Sequence, residues 1–250
     1  MKLIALLRTL LFYVILSFVL VGYGLLVLCA SFILPFKKYY WFVTRWPKIV
    51  MALARYTIGI KFQVRGADNI SKEHPVIYLV KHQSTYETFF LPWYSPFPVV
   101  FVYKKSLERI PIFGWCLASL HNIPINRSNK REAMQQVLRT GSQRIAEGRS
   151  PVLFPEGTRV PVGQKGHYKA GGVRLAIHSK TPIVPVAHNA GVFWPKGSFI
   201  KYAGIVTFSF GPEIHAQARE ANTVLAEVEQ WIEQETQDLV QQAQNALHKR

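Results

Sequence analysis

The sequence predicts an α/β protein, a mixed sheet flanked by helices, with an N-terminal membrane-embedded helical segment in front of it. Three observations predict this. No charged residue lies between Arg8 and Lys37, so residues 9–36 form an apolar run rich in Leu, Val, Ile and Phe. Seven short β-rich runs then alternate with helical patterns, the order expected of a sheet covered by helices. Finally, 250 residues are enough for one large α/β domain plus an anchor, because a domain of roughly 200 residues buries a large fraction of its surface.

As a single helix at ~1.5 Å per residue, the 28 residues of the apolar run would reach about 42 Å, more than the ~30 Å hydrocarbon core of a bilayer. Spanning is therefore possible. Gly22 and Gly24 near the middle and Pro35 near the end leave a second arrangement open, two shorter helices dipping into one leaflet. Lys2 and Arg8 on one side and Lys37 and Lys38 on the other give no charge asymmetry from which topology could be read. A cleaved signal peptide fits less well, because the run exceeds an ordinary apolar h-region of about 7 to 15 residues and lysines follow it directly. Residues 39–56 carry Trp41, Trp46, Arg45, Lys48 and Arg55, a mixture suited to the headgroup zone. Residues 1–58 are accordingly expected to form a membrane anchor with an interfacial helix, and residues 59–250 an α/β domain ending in a long helix.

Within the second part, strands are expected at 61–65, 76–80, 99–103, 122–125, 152–154, 183–187 and 205–210, each a short run of β-branched, aliphatic or aromatic residues. Helices are expected at 85–93, 130–147, 171–179 and 219–247. In the last of these Val224, Leu225, Val228, Trp231, Ile232 and Leu239 fall on one stripe, which reads as a core-packing face.

The formal net charge is +16, and six of the 14 acidic residues (Glu220, Glu227, Glu229, Glu233, Glu235 and Asp238) lie beyond Arg219, leaving residues 1–219 at +20. A field of that sign attracts anionic bilayers, phosphorylated substrates or nucleic acid. The apolar N-terminus argues against nucleic acid. Cys29 lies in the apolar run and Cys116 in the domain, so a disulfide between them is not expected and the thiols fit a reducing compartment. The two cysteines lack metal-ligand spacing, and the Gly-x-Ser-x-Gly elbow of the serine hydrolases is missing.

The run 76–80 reads as a buried strand, placing Lys81 and His82 at its carboxyl end, where open α/β sheets hold their ligands. Ser84 followed by Glu87 matches a capping box, which is one reading of Glu87. The other is that the helix start turns the carboxylate toward His82, fixing the tautomer of an imidazole that removes a proton from an alcohol. A second motif, Phe154-Pro155-Glu156-Gly157-Thr158-Arg159, begins as another strand leaves the core. There Gly157 allows close backbone approach, Thr158 adds a hydroxyl and Arg159 can grip a phosphate with two hydrogen bonds. An isolated Gly-Thr-Arg is equally a turn with a solvated arginine. Lys104, Lys105 and Arg127 end further strands, so a cationic rim of Lys105, Arg127 and Arg159 beside His82 would suit a phosphomonoester.

Four blocks in order, His82-Gln83-Ser84-Thr85-Tyr86-Glu87, Ile123-Pro124-Ile125-Asn126-Arg127, Phe154-Pro155-Glu156-Gly157-Thr158-Arg159 and Thr181-Pro182-Ile183-Val184-Pro185-Val186, resemble the four motifs of the glycerolipid acyltransferases. The resemblance spans residues 65–212, and its nearest match is among bacterial members that acylate lysophosphatidic acid. It implies that His82, oriented by Glu87, deprotonates the sn-2 hydroxyl of lysophosphatidic acid for attack on the thioester of acyl-CoA or acyl carrier protein. It further implies a glycerol-phosphate site of Arg127, Glu156, Gly157, Thr158 and Arg159, with Lys105 steadying the thioester oxyanion or the phosphate and Pro185 shaping the floor under the acyl chain. No metal, no cofactor beyond the thioester co-substrate and no nucleic acid is implied. The location implied is the bacterial inner membrane with the catalytic domain on its cytoplasmic face, held by a two-helix element in one leaflet that favours a break at Gly22 and Gly24.

Three positions depart from the pattern. Glu87 stands where the family more often has Asp, Asn126 where an Asp usually precedes the arginine, and Val160 where a serine is common. Alternative readings are acylation of another lyso-lipid, such as a lysophospholipid with a larger headgroup or a lyso-ornithine lipid, and a non-catalytic membrane protein that binds anionic lipids.

Overall fold

The structure, a computed structural model, describes residues 2–111, 113–126 and 128–248, and the side chain of His248 is outside the description. Arg127, an expected phosphate ligand, thus lies outside the described residues. The described strands are β1 (Ile60–Arg65), β2 (Ile77–Val80), β3 (Val99–Lys104), β4 (Ile123–Ile125), β5 (Ser150–Leu153), β6 (Ile183–His188) and β7 (Gly204–Phe210). They form one sheet in the order β1-β7-β6-β2-β5-β3-β4. Every neighbouring pair is parallel except β6 and β7, so the sheet is mixed. β6, β2, β5, β3 and β4 consequently end on one edge.

β2 is buried along its whole length, as a strand covered on both faces must be. Alternation sorts its side chains to opposite sides. Tyr78 and Val80 enter a core with Phe90, Val152, Val184, Val186 and Phe208, while Ile77 and Leu79 enter a second core with Leu153, Val173, Ile183 and Ile232. The first face is covered by α4 (Tyr86–Tyr94) and the N-terminal helices, and the second by α6 (Lys130–Ala146), α7 (Gly171–Ser179) and α9 (Ala221–His248). In α9 Val224, Val228, Ile232 and Leu239 are buried, so most of the expected stripe faces the core and Leu225 and Trp231 sit at its margin.

The N-terminus differs from expectation in where it breaks. α1 (Lys2–Ile33) runs through Gly22 and Gly24 without interruption, and the chain turns instead at Leu34 and Pro35 before α2 (Phe36–Val43) and α3 (Arg45–Leu53). The physical reason is that a glycine inside a helix still donates its hydrogen bond and costs only about 1 kcal/mol, whereas proline has no N–H and clashes with the preceding turn. α2 and α3 fold back on the carboxyl-terminal half of α1, with Tyr23 stacked on Phe42 and near Trp46. α1 is long and apolar enough to cross a membrane by length and composition, and Leu7, Leu11, Phe18 and Leu26 are exposed on it. Its other side is not free. Phe12 is fully buried and meets Trp194 edge to face at 5.3 Å, and Tyr13 stacks on Phe199. The N-terminal helices therefore share a core with the sheet, since Phe12, Val50 and Met51 pack in one cluster with Phe90 and Trp194.

Two short helices escape the sequence patterns, α5 (Phe113–Ser119) and α8 (Ala190–Phe193). At seven and four residues they hold barely two turns or one, too few for an apolar period to be read.

Candidate active site

The site forms where β2 ends. Lys81 prolongs the strand by donating its N–H to the Val186 carbonyl at 2.9 Å, and its own carbonyl accepts Nε2–H of His188 at 2.8 Å. The next residue, His82, is held at both backbone atoms. Its N–H donates to Oε2 of Glu156 at 3.0 Å, and its carbonyl accepts the N–H of Val160 at 2.7 Å. The backbone on both sides of the imidazole is thereby fixed.

Nδ1 of His82 lies 2.8 Å from Oε1 of Glu87, a fully buried carboxylate, while the imidazole remains 17% exposed. The same Oε1 accepts the N–H of Ser84 at 3.0 Å, so half of the expected capping box forms beside the histidine contact, while Thr85 rather than Ser84 caps the helix and the Ser84 hydroxyl accepts the N–H of Tyr86 instead. Burial pushes the Glu87 carboxyl up, but the imidazoles of His188 and His82 and its own backbone N–H outweigh that and hold it below the ordinary carboxylate value. The ionised carboxylate accepts only, which places the proton of neutral His82 on Nδ1 and leaves the Nε2 lone pair available as a base. Phe154 stacks on the imidazole with centroids 3.8 Å apart and fixes the ring plane.

His188 is part of this arrangement and was not singled out by the sequence. It is fully buried, accepts the N–H of Ala190 at Nδ1, and places Nε2 3.9 Å from Glu87 Oε1. Burial holds its pKa below the ordinary value despite Glu87, in keeping with a neutral ring that bonds at both nitrogens. Its signal in the sequence was its position directly after the run 183–187, at the carboxyl end of a strand.

The Phe154-to-Arg159 segment divides its residues between two directions. Glu156 was expected in the phosphate site, but its side chain is fully buried. Oε1 takes Lys81 Nζ at 2.8 Å and the N–H of Gly166 at 3.1 Å, and Oε2 takes His82 N–H. Gly157 adopts a φ of 69°, and its N–H closes a turn on the Phe154 carbonyl at 2.9 Å. A side chain there would meet Lys169 Nζ at 2.7 Å. Thr158 and Arg159 are exposed. Arg159 Nη1 donates to Thr85 Oγ1 at 2.8 Å, which ties the guanidinium to the segment that carries His82.

Around Arg159 stand two cations that the sequence did not point to. Lys196 Nζ donates to the Arg159 carbonyl at 2.6 Å. Lys201 is buried, with its ammonium 5.3 Å from the centroid of the Trp194 ring. Burial, and secondarily Arg159, lower the Lys201 pKa to about 8. Both lie between α8 and β7, a stretch without periodicity.

Lys105 begins the helical turn Lys105–Arg109 after β3 and, with Arg109, Asn126 and Glu132, lines a separate cavity of about 450 Å³. It shares the carboxyl edge with His82. Two strand spacings, roughly 10 Å, separate β2 from β3. Pro185 turns away from His82: it lies in β6 opposite Leu79, and a Cβ on Gly211 would come within 2.8 Å of both its ring and Trp231 of α9. Its alternation in the strand, rather than its motif, decides that face. The structure thus gathers His82, Glu87, Thr158 and Arg159, leaves Lys105 on the same edge at a distance, and turns Glu156 and Pro185 inward.

Comparison with known proteins shows what the chain is similar to. A family model described as Acyltransferase matches residues 61–189. A 1-acyl-sn-glycerol-3-phosphate acyltransferase of Pseudomonas aeruginosa is 42% identical over 227 residues, covering 90% of this chain and 87% of that protein. One of Limnanthes alba is 32% identical over 168 residues, 67% of this chain and 59% of that protein. The crystal structure of the 1-acyl-sn-glycerophosphate (LPA) acyltransferase from Thermotoga maritima superposes with a TM-score of 0.79 at 23% identity, covering 95% of this chain and 98% of that one.

Proposed function

The chain belongs to the acyltransferase family, and on that premise we propose that it moves an acyl chain from a thioester, acyl-CoA or acyl carrier protein, to the sn-2 hydroxyl of 1-acyl-sn-glycerol-3-phosphate, giving phosphatidic acid. The observation that carries the reading is the 2.8 Å contact between Nδ1 of a partly exposed His82 and the buried carboxylate of Glu87. His82 Nε2 takes the proton of the acceptor hydroxyl as its oxygen attacks the thioester carbon. Glu87 stabilises the imidazolium that forms. Collapse of the tetrahedral intermediate breaks the carbon–sulfur bond, and the imidazolium returns the proton to the leaving thiolate. General base catalysis of this kind contributes ~10² to 10⁴ in rate.

Arg159, with Thr158 beside it and Lys196 behind it, receives the acceptor phosphate. Arg127 is assigned to the same phosphate by its motif. Glu156 and Gly157 serve the site from within, Glu156 by holding Lys81 and the His82 backbone and Gly157 by its left-handed turn. Lys105, two strands away, meets an anionic part of a substrate remote from the reacting carbon. Pro185 shapes the core under α9 and through it the position of β6. No metal or further cofactor enters the reaction.

Residues 1–58 hold the enzyme in the membrane and 59–250 carry the reaction. The exposed apolar side of α1 favours this reading, and the free cysteines Cys29 and Cys116 fit a domain on the cytoplasmic face of the inner membrane. The test is turnover of the purified protein with labelled acyl-CoA and acyl-carrier-protein donors against a panel of lyso-lipids. Selective acylation of lysophosphatidic acid is expected. Preference for a larger headgroup or for lyso-ornithine lipid would transfer the reading to that acceptor, and failure to turn over any acceptor would leave a lipid-binding protein.

A further inference from the structure

We propose that Glu233, on the carboxyl-terminal helix α9, positions the reacting histidine through a buried ionic relay running by way of Lys81 and Glu156. This rests on His82 being the base of the acyl transfer proposed above. Lys81 is fully buried between two carboxylates, 2.6 Å from Glu233 Oε1 and 2.8 Å from Glu156 Oε1. Its third contact is the Gln164 carbonyl at 3.4 Å, so all three ammonium donors are directed. Tyr168 donates its hydroxyl to the same Glu233 oxygen at 2.8 Å. Glu156 then passes the position on, since its other oxygen receives the N–H of His82 at 3.0 Å. The chain of contacts thus runs from α9 to the backbone of His82 with no gap longer than one hydrogen bond.

Two features argue that this network does more than stabilise the fold. Replacing a buried ion pair by apolar side chains of similar volume is often neutral or stabilising, so stability alone is a poor reason to keep a lysine and two glutamates here. Moreover, Glu233 is only partly buried, at 23% side-chain exposure, and sits on a helix already fixed by Val224, Val228, Ile232 and Leu239. A second acidic residue one turn earlier, Glu229, pairs with Lys165, so the same helix face holds the loop of Gln164, Lys165 and Tyr168 twice. With Glu233 neutral, Lys81 answers to Glu156 alone. The ammonium then draws Oε1 toward itself and rotates Oε2 away from His82, displacing the imidazole from the acceptor hydroxyl. Misplacement of a reacting group by about 1 Å lowers rate by up to ~10².

The experiment compares Glu233→Gln and Tyr168→Phe with Glu227→Gln, whose partner Arg219 lies outside the relay. Glu233→Gln is expected to lower kcat about tenfold with the KM values of donor and acceptor unchanged and the thermal midpoint within about 2 °C. Tyr168→Phe should give a smaller loss of the same kind, and Glu227→Gln none. A second readout is the Nδ1 proton of His82, whose nuclear magnetic resonance signal should shift or broaden in Glu233→Gln and stay in place in Glu227→Gln. This arm uses full-length protein without substrate, so it tests positioning even if another lyso-lipid proves to be the acceptor. An unmoved signal, a wild-type kcat, or a loss of kcat matched by a loss of folded protein would each overturn the proposal.

Discussion

The carbonyl of His82 accepts the N–H of Val160 at 2.7 Å, and this bond joins two sequence blocks that lie more than seventy residues apart. It explains why a valine suffices where a serine is common. The backbone of residue 160 makes the contact, and the side chain, 8% exposed, packs beside Glu156 and Gly166. With the N–H of His82 on Glu156, the Glu-Gly-Thr-Arg block acts first as a clamp on the His82 backbone. Its last two residues alone face outward.

Glu87→Gln should lower kcat by at least ~10² while leaving acceptor KM within a few-fold, because the amide neither stabilises an imidazolium nor enforces the Nδ1–H tautomer. Steady-state kinetics check this. The same variant tests the linkage. Glu87 has a folded-state pKa below its ordinary value, so its contribution to stability is present above the ordinary carboxylate pKa and disappears as pH falls through the lower folded value. The stability gap between wild type and Glu87→Gln should therefore be full at pH 7 and close as pH falls below the ordinary carboxylate value. A gap that is constant with pH would contradict it.

Arg159→Ala should raise the KM for the phosphorylated acceptor by about tenfold or more and change kcat by less than about threefold, since a charge-assisted hydrogen bond contributes about 1.5–3 kcal/mol. Arg159→Lys should recover only part of the loss, because an ammonium cannot reproduce the two parallel donors. Acceptor titrations at saturating donor decide it. An unchanged KM would remove Arg159 from the phosphate site.

Lys201→Met should raise the thermal midpoint at pH 7. The Lys201 pKa falls from 10.5 unfolded to about 8 folded, so between those values the unfolded chain holds the extra proton and stability rises with pH. The advantage of the methionine should therefore shrink as pH rises from 7 to 9. Thermal unfolding in lipid nanodiscs at both pH values measures this, and an advantage that grew with pH would reverse the assignment.

Phe12→Ala should destabilise the protein by about 3–5 kcal/mol, the range for removing a fully buried aromatic ring. Phe18, 75% exposed on the same helix, should give no change in thermal midpoint when cut to alanine and a weaker hold on membranes in a flotation assay. Equal effects of the two variants would show that α1 does not dock on the domain.

Much of this could be read along the chain, because it depends on neighbours in sequence. The strand runs, the α9 stripe and the spacing of His82 and Glu87 are local periodicities, and each of the expected strands overlaps an observed one. Long-range order decided the rest. Glu156 lies between exposed and buried residues of one motif, and only the closeness of β5 to β2 brings Lys81 to its carboxylate. His188, Lys196 and Lys201 reach the site through the pairing of β6 with β2 and the path of the chain between α8 and β7, which no local pattern encodes. Pro185 shows the same dependence: its motif named it, but alternation along β6 turned it toward α9. Side-chain period and helix breakers are short-range physics and are written in order, whereas a charge finds its partner only after the strands have taken their places.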